Sequence, residues 1–149
     1  MKTGISVGDA MSQNPVAIDS NDTVVKASKL MLKKRVGSLL IVKAGELKGL
    51  ITEKDIVRLI AKGLSPNKTK VSDVMTKKVH TIKPSEDLFE AIKHMKKNKV
   101  RRLPVVYRKK LVGLLTETDV LTLQPVLYEM LYDWGNIEAS RKKLEFEEE

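Results

Sequence analysis

The chain has no cysteine among its 149 residues, which excludes disulfides and thiolate metal ligands and fits a reducing compartment. Histidine is almost as scarce. His80 and His94 are isolated, so neither a paired-histidine metal site nor an acid-base constellation can be drawn. We therefore expect no catalytic residue, no metal and no required cofactor. Aromatic residues make up only 4% of the chain, which leaves little surface on which unpaired bases could stack. No apolar run approaches the roughly 20 residues needed to cross a bilayer, and Met1 to Ser6 lacks the apolar centre of a signal peptide. A cytoplasmic, non-membrane protein is expected.

Apolar residues nonetheless reach 42%, enough for one domain or two small subdomains. The net charge is +9 and unevenly spread. Six acids against three bases crowd residues 133–149, so the remainder is near +12. From Lys93 to Lys110 the chain carries Lys93, Lys96, Lys97, Lys99, Arg101, Arg102, Arg108, Lys109 and Lys110 without one acid. Such a face can attract a polyanion, which makes nucleic-acid binding through residues 93–110 the alternative function; a solvated lysine-rich surface explains the same run.

One seven-residue stretch occurs twice, as Gly49-Leu50-Ile51-Thr52-Glu53-Lys54-Asp55 and Gly113-Leu114-Leu115-Thr116-Glu117-Thr118-Asp119. Each reads as an apolar strand entering the first turn of a helix. The glycine permits close approach of a ligand, the threonine sits at an N-cap position, and the helix start presents unpaired N–H groups that can hold phosphate. The aspartate adds a two-oxygen acceptor suited to a ribose diol. Thr-x-x-Asp is equally the pattern of a capping box, in which both residues only satisfy helix amides.

Sliding the sequence by 64 residues aligns 7–57 with 71–121 without a gap, with 17 of 51 positions identical. Chance would give roughly three, so the repeat is genuine. Each copy opens with Val-x-Asp-x-Met (Val7 to Met11, Val71 to Met75), followed by a short extended piece at Pro15 to Ile18 or Val79 to Ile82. A helix follows, capped by Asn21 or Ser85, with Val24, Ala27, Leu30 and Met31, or Leu88, Ala91, Ile92 and Met95, as its apolar stripe. A hairpin comes next: Val36 to Val42 and Leu47 to Ile51, or Val100 to Val106 and Leu111 to Leu115. The closing helix starts at Thr52 or Thr116 and turns Ile56, Leu59 and Ile60, or Val120 and Leu123, inward. In the first copy Gly63, Pro66 and Asn67 end it. Pro125 begins another helix, through Val126, Leu127, Met130, Leu131 and Trp134, before a charged end. The expected organisation is α+β: repeats at 7–66 and 71–123, each β-α-β-β-α and related by approximate twofold symmetry, then a C-terminal helix and acidic tail at 124–149.

Two such repeats, each ending in Gly-h-h-Thr-x-x-Asp, resemble a tandem pair of cystathionine-β-synthase (CBS) domains, or Bateman module, over residues 7 to about 123. The resemblance implies a regulatory sensor of AMP, ADP, ATP or S-adenosylmethionine that dimerises and controls a separate protein. It also implies two cross-built clefts. One would join Thr52 and Asp55 to Thr81, Ile82, Arg101, Arg102, Leu103 and Pro104. The other would join Thr116 and Asp119 to Ala17, Ile18, Gly37, Ser38 and Leu39. Because Arg101-Arg102 stands where the first repeat has Gly37-Ser38, and Thr81 where it has Ala17, the Asp55 cleft is expected to be the stronger phosphate site.

Overall fold

The computed structural model describes residues 2–126. In chain order the elements are α1 (Val7–Ala10), β1 (Ala17–Asp19), α2 (Val24–Lys34), β2 (Ser38–Lys43), β3 (Glu46–Thr52), α3 (Glu53–Ala61), α4 (Val71–Val74), α5 (Leu88–Asn98), β4 (Arg102–Tyr107), β5 (Lys110–Thr116) and α6 (Glu117–Leu123). The α+β class and the order of the first repeat follow the sequence pattern, while the entry segments are single-turn helices and the second repeat, among the described residues, has no first strand. The expected C-terminal helix falls mostly on residues outside those described.

The chain divides into two compact units. Among the described residues, one comprises 13–81 with the hairpin tip 106–113; the other comprises 2–12, 82–105 and 114–126. In the first of these, β1 runs parallel to β2 with Ile18 opposite Ile41, and β2 runs antiparallel to β3 with Ser38 opposite Thr52. Glu46 pairs with Lys110, and the five strands follow the order β1-β2-β3-β5-β4. The core of this unit packs Ile18, Val24, Ala27, Met31, Leu39, Ile41, Ile51, Leu59 and Val71. Apolar positions at i, i+3 and i+7 on α2 supply three of these, so the 3.6-residue period decides which face turns inward.

The β2–β3 ladder carries a bulge. Ile41 is opposite Gly49 and Val42 opposite Leu47, so Lys48 has no partner of its own. Beside it, Gly49 lets the chain after α4 cross the strand. An added Cβ there would lie 2.7 Å from both Met75 Sδ and the Thr76 carbonyl oxygen. Leu50 and Thr76 exchange backbone hydrogen bonds of 3.0 and 2.8 Å across that contact.

In the other unit, α5 buries Leu88, Ala91, Ile92 and Met95 as its periodicity predicts. The strand expected at Val79 to Ile82 shrinks to one parallel bridge between Ile82 and Val105, with Ile82 N–H donating to Pro104 O at 3.0 Å. Pro104 is the reason. It stands where Leu40 stands in the first repeat and has no N–H for the next rung.

Three smaller expectations are corrected. The cap of α2 is Thr23, not Asn21, because the Asn21 amide is engaged by Asp19 Oδ1 at 2.9 Å in the preceding turn. The cap of α5 is Asp87, not Ser85, because Asp87 Oδ1 accepts from the Phe89 amide at 2.9 Å. Ile60 and Leu123 are 61% and 42% exposed rather than core residues; Leu59 and Val120 hold the inward positions.

Candidate functional site

Both Thr-x-x-Asp corners are complete capping boxes. At the start of α3 the Thr52 hydroxyl oxygen accepts from the Asp55 amide at 3.3 Å, and Asp55 Oδ2 accepts from the Thr52 amide at 2.9 Å. At the start of α6 the Thr116 hydroxyl oxygen accepts from the Asp119 amide at 3.2 Å, and Asp119 Oδ2 accepts from the Thr116 amide at 2.8 Å. Both threonines are extended, with φ near −119° and −113°, as an N-cap requires. The structural reading of the motif is thus realised in full, and it fixes each carboxylate in one orientation.

One further amide of each turn is engaged too. Glu53 N–H donates to Gly37 O at 3.1 Å, and Glu117 N–H donates to Arg101 O at 3.0 Å. With amides at Thr52, Glu53 and Asp55 committed, and two carboxylates in the same turn, the helix start is a poor phosphate site on its own. Phosphate would have to be held by basic side chains elsewhere.

Each aspartate keeps its second oxygen on an exchangeable contact. Asp55, itself only 9% exposed, places Oδ1 3.5 Å from Nη1 of Arg58, whose side chain is 69% exposed. Asp119 Oδ1 accepts from the Ser12 hydroxyl at 3.3 Å. The Arg58 guanidinium lies in water and its contact is long, so a ligand hydroxyl can displace it at small cost. Ser12 and Arg58 escaped the sequence reading. The only signal was the hydroxyl that follows each Val-x-Asp-x-Met, Ser12 in one copy and Thr76 in the other.

The structure divides the expected site residues between the two units. In the first repeat's unit, Ser38 lies opposite Thr52 in the ladder, Ala17 opposite Leu40, and Ile18 opposite Ile41, while Gly37 caps Glu53. Thr81 belongs to this unit and is exposed. In the other unit, Arg101 accepts from Glu117 through its carbonyl, and its side chain, 86% exposed, sits 3.7 Å from the Glu117 carboxylate. Arg102 beside it is exposed, while Ile82 and Pro104 are buried and offer a ligand only main chain or apolar edge. The residues expected to share a cleft are therefore divided between units: Thr52, Asp55 and Thr81 from Ile82, Arg101, Arg102, Leu103 and Pro104, and Thr116 and Asp119 from Ala17, Ile18, Gly37, Ser38 and Leu39.

The first repeat's unit holds a cleft of about 250 Å³ lined by Leu47, Lys48, Gly49, Lys77, Val79, Thr81, Val106 and Lys109. Both histidines are exposed. No helix among the described residues is long and apolar enough to cross a membrane.

A family model described as "CBS domain" matches residues 7–62 and 71–125. The chain is 39% identical over 108 residues to the CBS domain-containing protein CBSX3, mitochondrial, of Arabidopsis thaliana, covering 68% of this chain and 52% of that protein. It is 34% identical over 120 residues to the CBS domain-containing protein YhcV of Bacillus subtilis, covering 80% of this chain and 85% of that one. The chain thus spans about half of the first relative and most of the second. It is also 35% identical to an L-aspartate semialdehyde sulfurtransferase of Methanocaldococcus jannaschii, of which it covers 24%. Among solved structures, CBSX2 in complex with AMP superposes with a TM-score of 0.71 at 27% identity, covering 80% of this chain and 95% of that one. The CBS domain pair of protein MJ0100 in complex with 5-methylthioadenosine and S-adenosyl-L-methionine superposes with a TM-score of 0.66 at 31% identity, covering 79% and 94%. These comparisons lend no support to nucleic-acid binding through the 93–110 face.

Proposed function

The chain belongs to the CBS domain family, and from that premise we propose that it is a regulatory module that binds an adenosine ligand and acts on a separate protein. The carrying observation is the paired aspartates. Each uses one carboxylate oxygen to cap a helix and holds the other on a contact that a ribose hydroxyl can replace. A capped carboxylate is already oriented, so little conformational freedom is lost when ligand binds. The cap and the ligand contact are compatible roles of one side chain, since an ionised carboxylate offers about four acceptor positions.

In this proposal Thr52 and Asp55 share a cleft with Thr81, Ile82, Arg101, Arg102, Leu103 and Pro104, and Thr116 and Asp119 share the other with Ala17, Ile18, Gly37, Ser38 and Leu39. The exposed guanidinium of Arg101 and its neighbour Arg102 give the first cleft the phosphate preference, because an arginine fork matches phosphate geometry. The other cleft suits a less charged adenosine compound. The module acts as a homodimer, with no catalytic step of its own.

Calorimetric titration with AMP, ADP, ATP, S-adenosylmethionine and a GMP control tests this reading. We expect adenosine ligands to bind and GMP not to bind, with Asp55→Ala losing AMP affinity and Asp119→Ala largely retaining it. Equal binding of GMP, or full AMP affinity in both variants, would overturn it. Sedimentation of the free protein as a monomer would remove the dimer.

A further inference from the structure

The cleft of about 250 Å³ in the first repeat's unit lies at the opposite end of β3 from the Thr52 corner. Lys48 precedes Thr52 by four residues of strand, roughly 13 Å at 3.3 Å per residue. We propose that this cleft is a separate binding site for a small phosphate-class anion, held by Lys48, Lys77 and Lys109.

Three independent departures from regular backbone deliver these lysines. Lys48 is the unpaired residue of the β2–β3 bulge, and a bulge re-aims the side chain it carries. Lys77 is brought to the start of β3 by the crossing at Gly49, where any side chain would strike Thr76 O. Lys109 occupies the two-residue turn of the β4–β5 hairpin at φ 67°, next to Arg108 at φ 48°. A turn with both central residues at positive φ calls for Asn-Gly or a similar pair, and the first repeat's equivalent turn has Ala44-Gly45. Lys109 thus replaces the glycine the conformation favours.

The repeat supplies an internal control. Sixty-four residues away, Lys48, Lys77 and Lys109 correspond to Val112, Gln13 and Gly45, so none of the three charges is inherited from the shared framework. Lys48 is paired with Glu46 at 3.1 Å, whereas Lys77 and Lys109 have no ion pair among the described residues. The Glu46 carboxyl is held below its usual range, first by the Lys48 hydrogen bond and also by the charges of Lys110 and Lys109, as a locally positive field requires.

Size favours a small ligand. Pockets for drug-sized molecules begin near 300 Å³, and a cleft of about 250 Å³ matches a phosphate or diphosphate group. Ammonium groups act as point charges without a preferred fork, which suits a compact anion. Leu47, Val79 and Val106 supply apolar lining, and Thr81 adds a hydroxyl-bearing side chain to it. Thr81 is the one residue shared with the proposed adenosine cleft.

The test is an NMR titration of the full chain with inorganic pyrophosphate, with adenosine, AMP and ATP as parallel arms. Pyrophosphate is expected to shift the backbone amides of Gly49, Thr81 and Lys109 while adenosine leaves Gly49 and Lys109 unmoved. Lys77→Met and Lys109→Gly should each weaken pyrophosphate about fivefold, the scale of one exposed charge contact, while the exposed-charge control Lys29→Met should not. Lys109→Gly should fold at least as well as the parent, because it restores the residue the turn favours, so its loss of binding cannot be ascribed to unfolding. AMP affinity should survive in Lys109→Gly. Unchanged pyrophosphate affinity in both lysine variants, or no shift at these amides up to millimolar pyrophosphate, would overturn the site. AMP binding without pyrophosphate binding sinks this inference alone, and the reverse sinks only the nucleotide reading.

Discussion

The carboxylate of Asp87 binds the amide of Thr3 through both oxygens, at 3.0 and 3.2 Å, across 84 residues of sequence. It also accepts from the Thr3 hydroxyl at 3.0 Å, the Gly4 amide at 3.0 Å and, as the cap of α5, the Phe89 amide at 2.9 Å. One side chain therefore starts a helix and fastens the N-terminal segment that leads into α1. Sequence spacing pointed to Ser85 as the cap instead, because a contact between positions 3 and 87 has no periodicity to announce it.

This clamp sets an acid limit. The Asp87 carboxyl is lowered from 3.8 to about 2, first by the Thr3 backbone hydrogen bond. A depressed folded-state value contributes stability that is present above the unfolded value and lost as pH falls through the folded one. We expect the melting temperature to fall as pH drops from about 4 toward 2, with amide exchange at Thr3, Gly4 and Phe89 accelerating in the same window. Asp87→Asn should be less stable at neutral pH and should flatten that part of the profile. A profile identical to the parent's would show that other carboxylates govern it.

The capping boxes make a second prediction, in which structure and ligand can be separated. Thr116→Ala removes the acceptor for the Asp119 amide and should cost about 1 kcal/mol of stability. Thr116→Ser keeps the hydroxyl and should recover most of it. Thermal denaturation of the two variants decides the point; equal melting temperatures for Ala and Ser would mean that the cap contributes nothing. The same pair at Thr52 should behave alike, because the two corners have the same bonds within a few tenths of an ångström.

What could be read from the sequence was whatever recurs. The 64-residue offset fixed the repeat, the apolar stripe Leu88, Ala91, Ile92 and Met95 chose the buried face, and Thr-x-x-Asp marked two helix starts. What was missed breaks local rules. Lys48 looks like any exposed lysine until the ladder shows it unpaired, and Pro104, which reduces the strand expected at Val79 to Ile82 to a single bridge, sits within a stretch whose pattern otherwise matches β2. The partners of the two aspartates, Arg58 and Ser12, depend on helix phase in one case and on chain return in the other.

Helix ends were obscured for a related reason. Arg35 and Lys99 close α2 and α5 in the left-handed region, at φ 55° and 54°, where glycine or asparagine is the usual signal. Both are exposed, and their amides donate back into the last turn. Left-handed backbone costs a non-glycine residue roughly 1–2 kcal/mol, partly offset by the greater freedom glycine gains when unfolded. Lys99→Gly is therefore expected to stabilise the chain by up to about 1 kcal/mol, read as a higher urea midpoint at unchanged slope. A lower midpoint would show that the lysine side chain supports the helix end by other means.

Gly49 and Gly63 allow a contrast between lack of space and unfavourable backbone. At Gly49 an added Cβ meets Met75 Sδ and Thr76 O, each at 2.7 Å, and the carbonyl is tied down by its bond with Leu50. At Gly63 nothing lies within 4 Å, and the only obstacle is φ of 76°. Overpacking a fixed contact costs about 1–3 kcal/mol, whereas a single left-handed alanine costs roughly 1–2 kcal/mol. Gly49→Ala should therefore be the more destabilising change. It alone should also shift the amides of Thr76 and Lys77, because relief requires the crossing segment to move away from β3. Those shifts would tie the first copy's Gly-h-h-Thr motif to the placement of Lys77. If Gly49→Ala left both amides in place, the glycine would have to be explained by something other than that crossing.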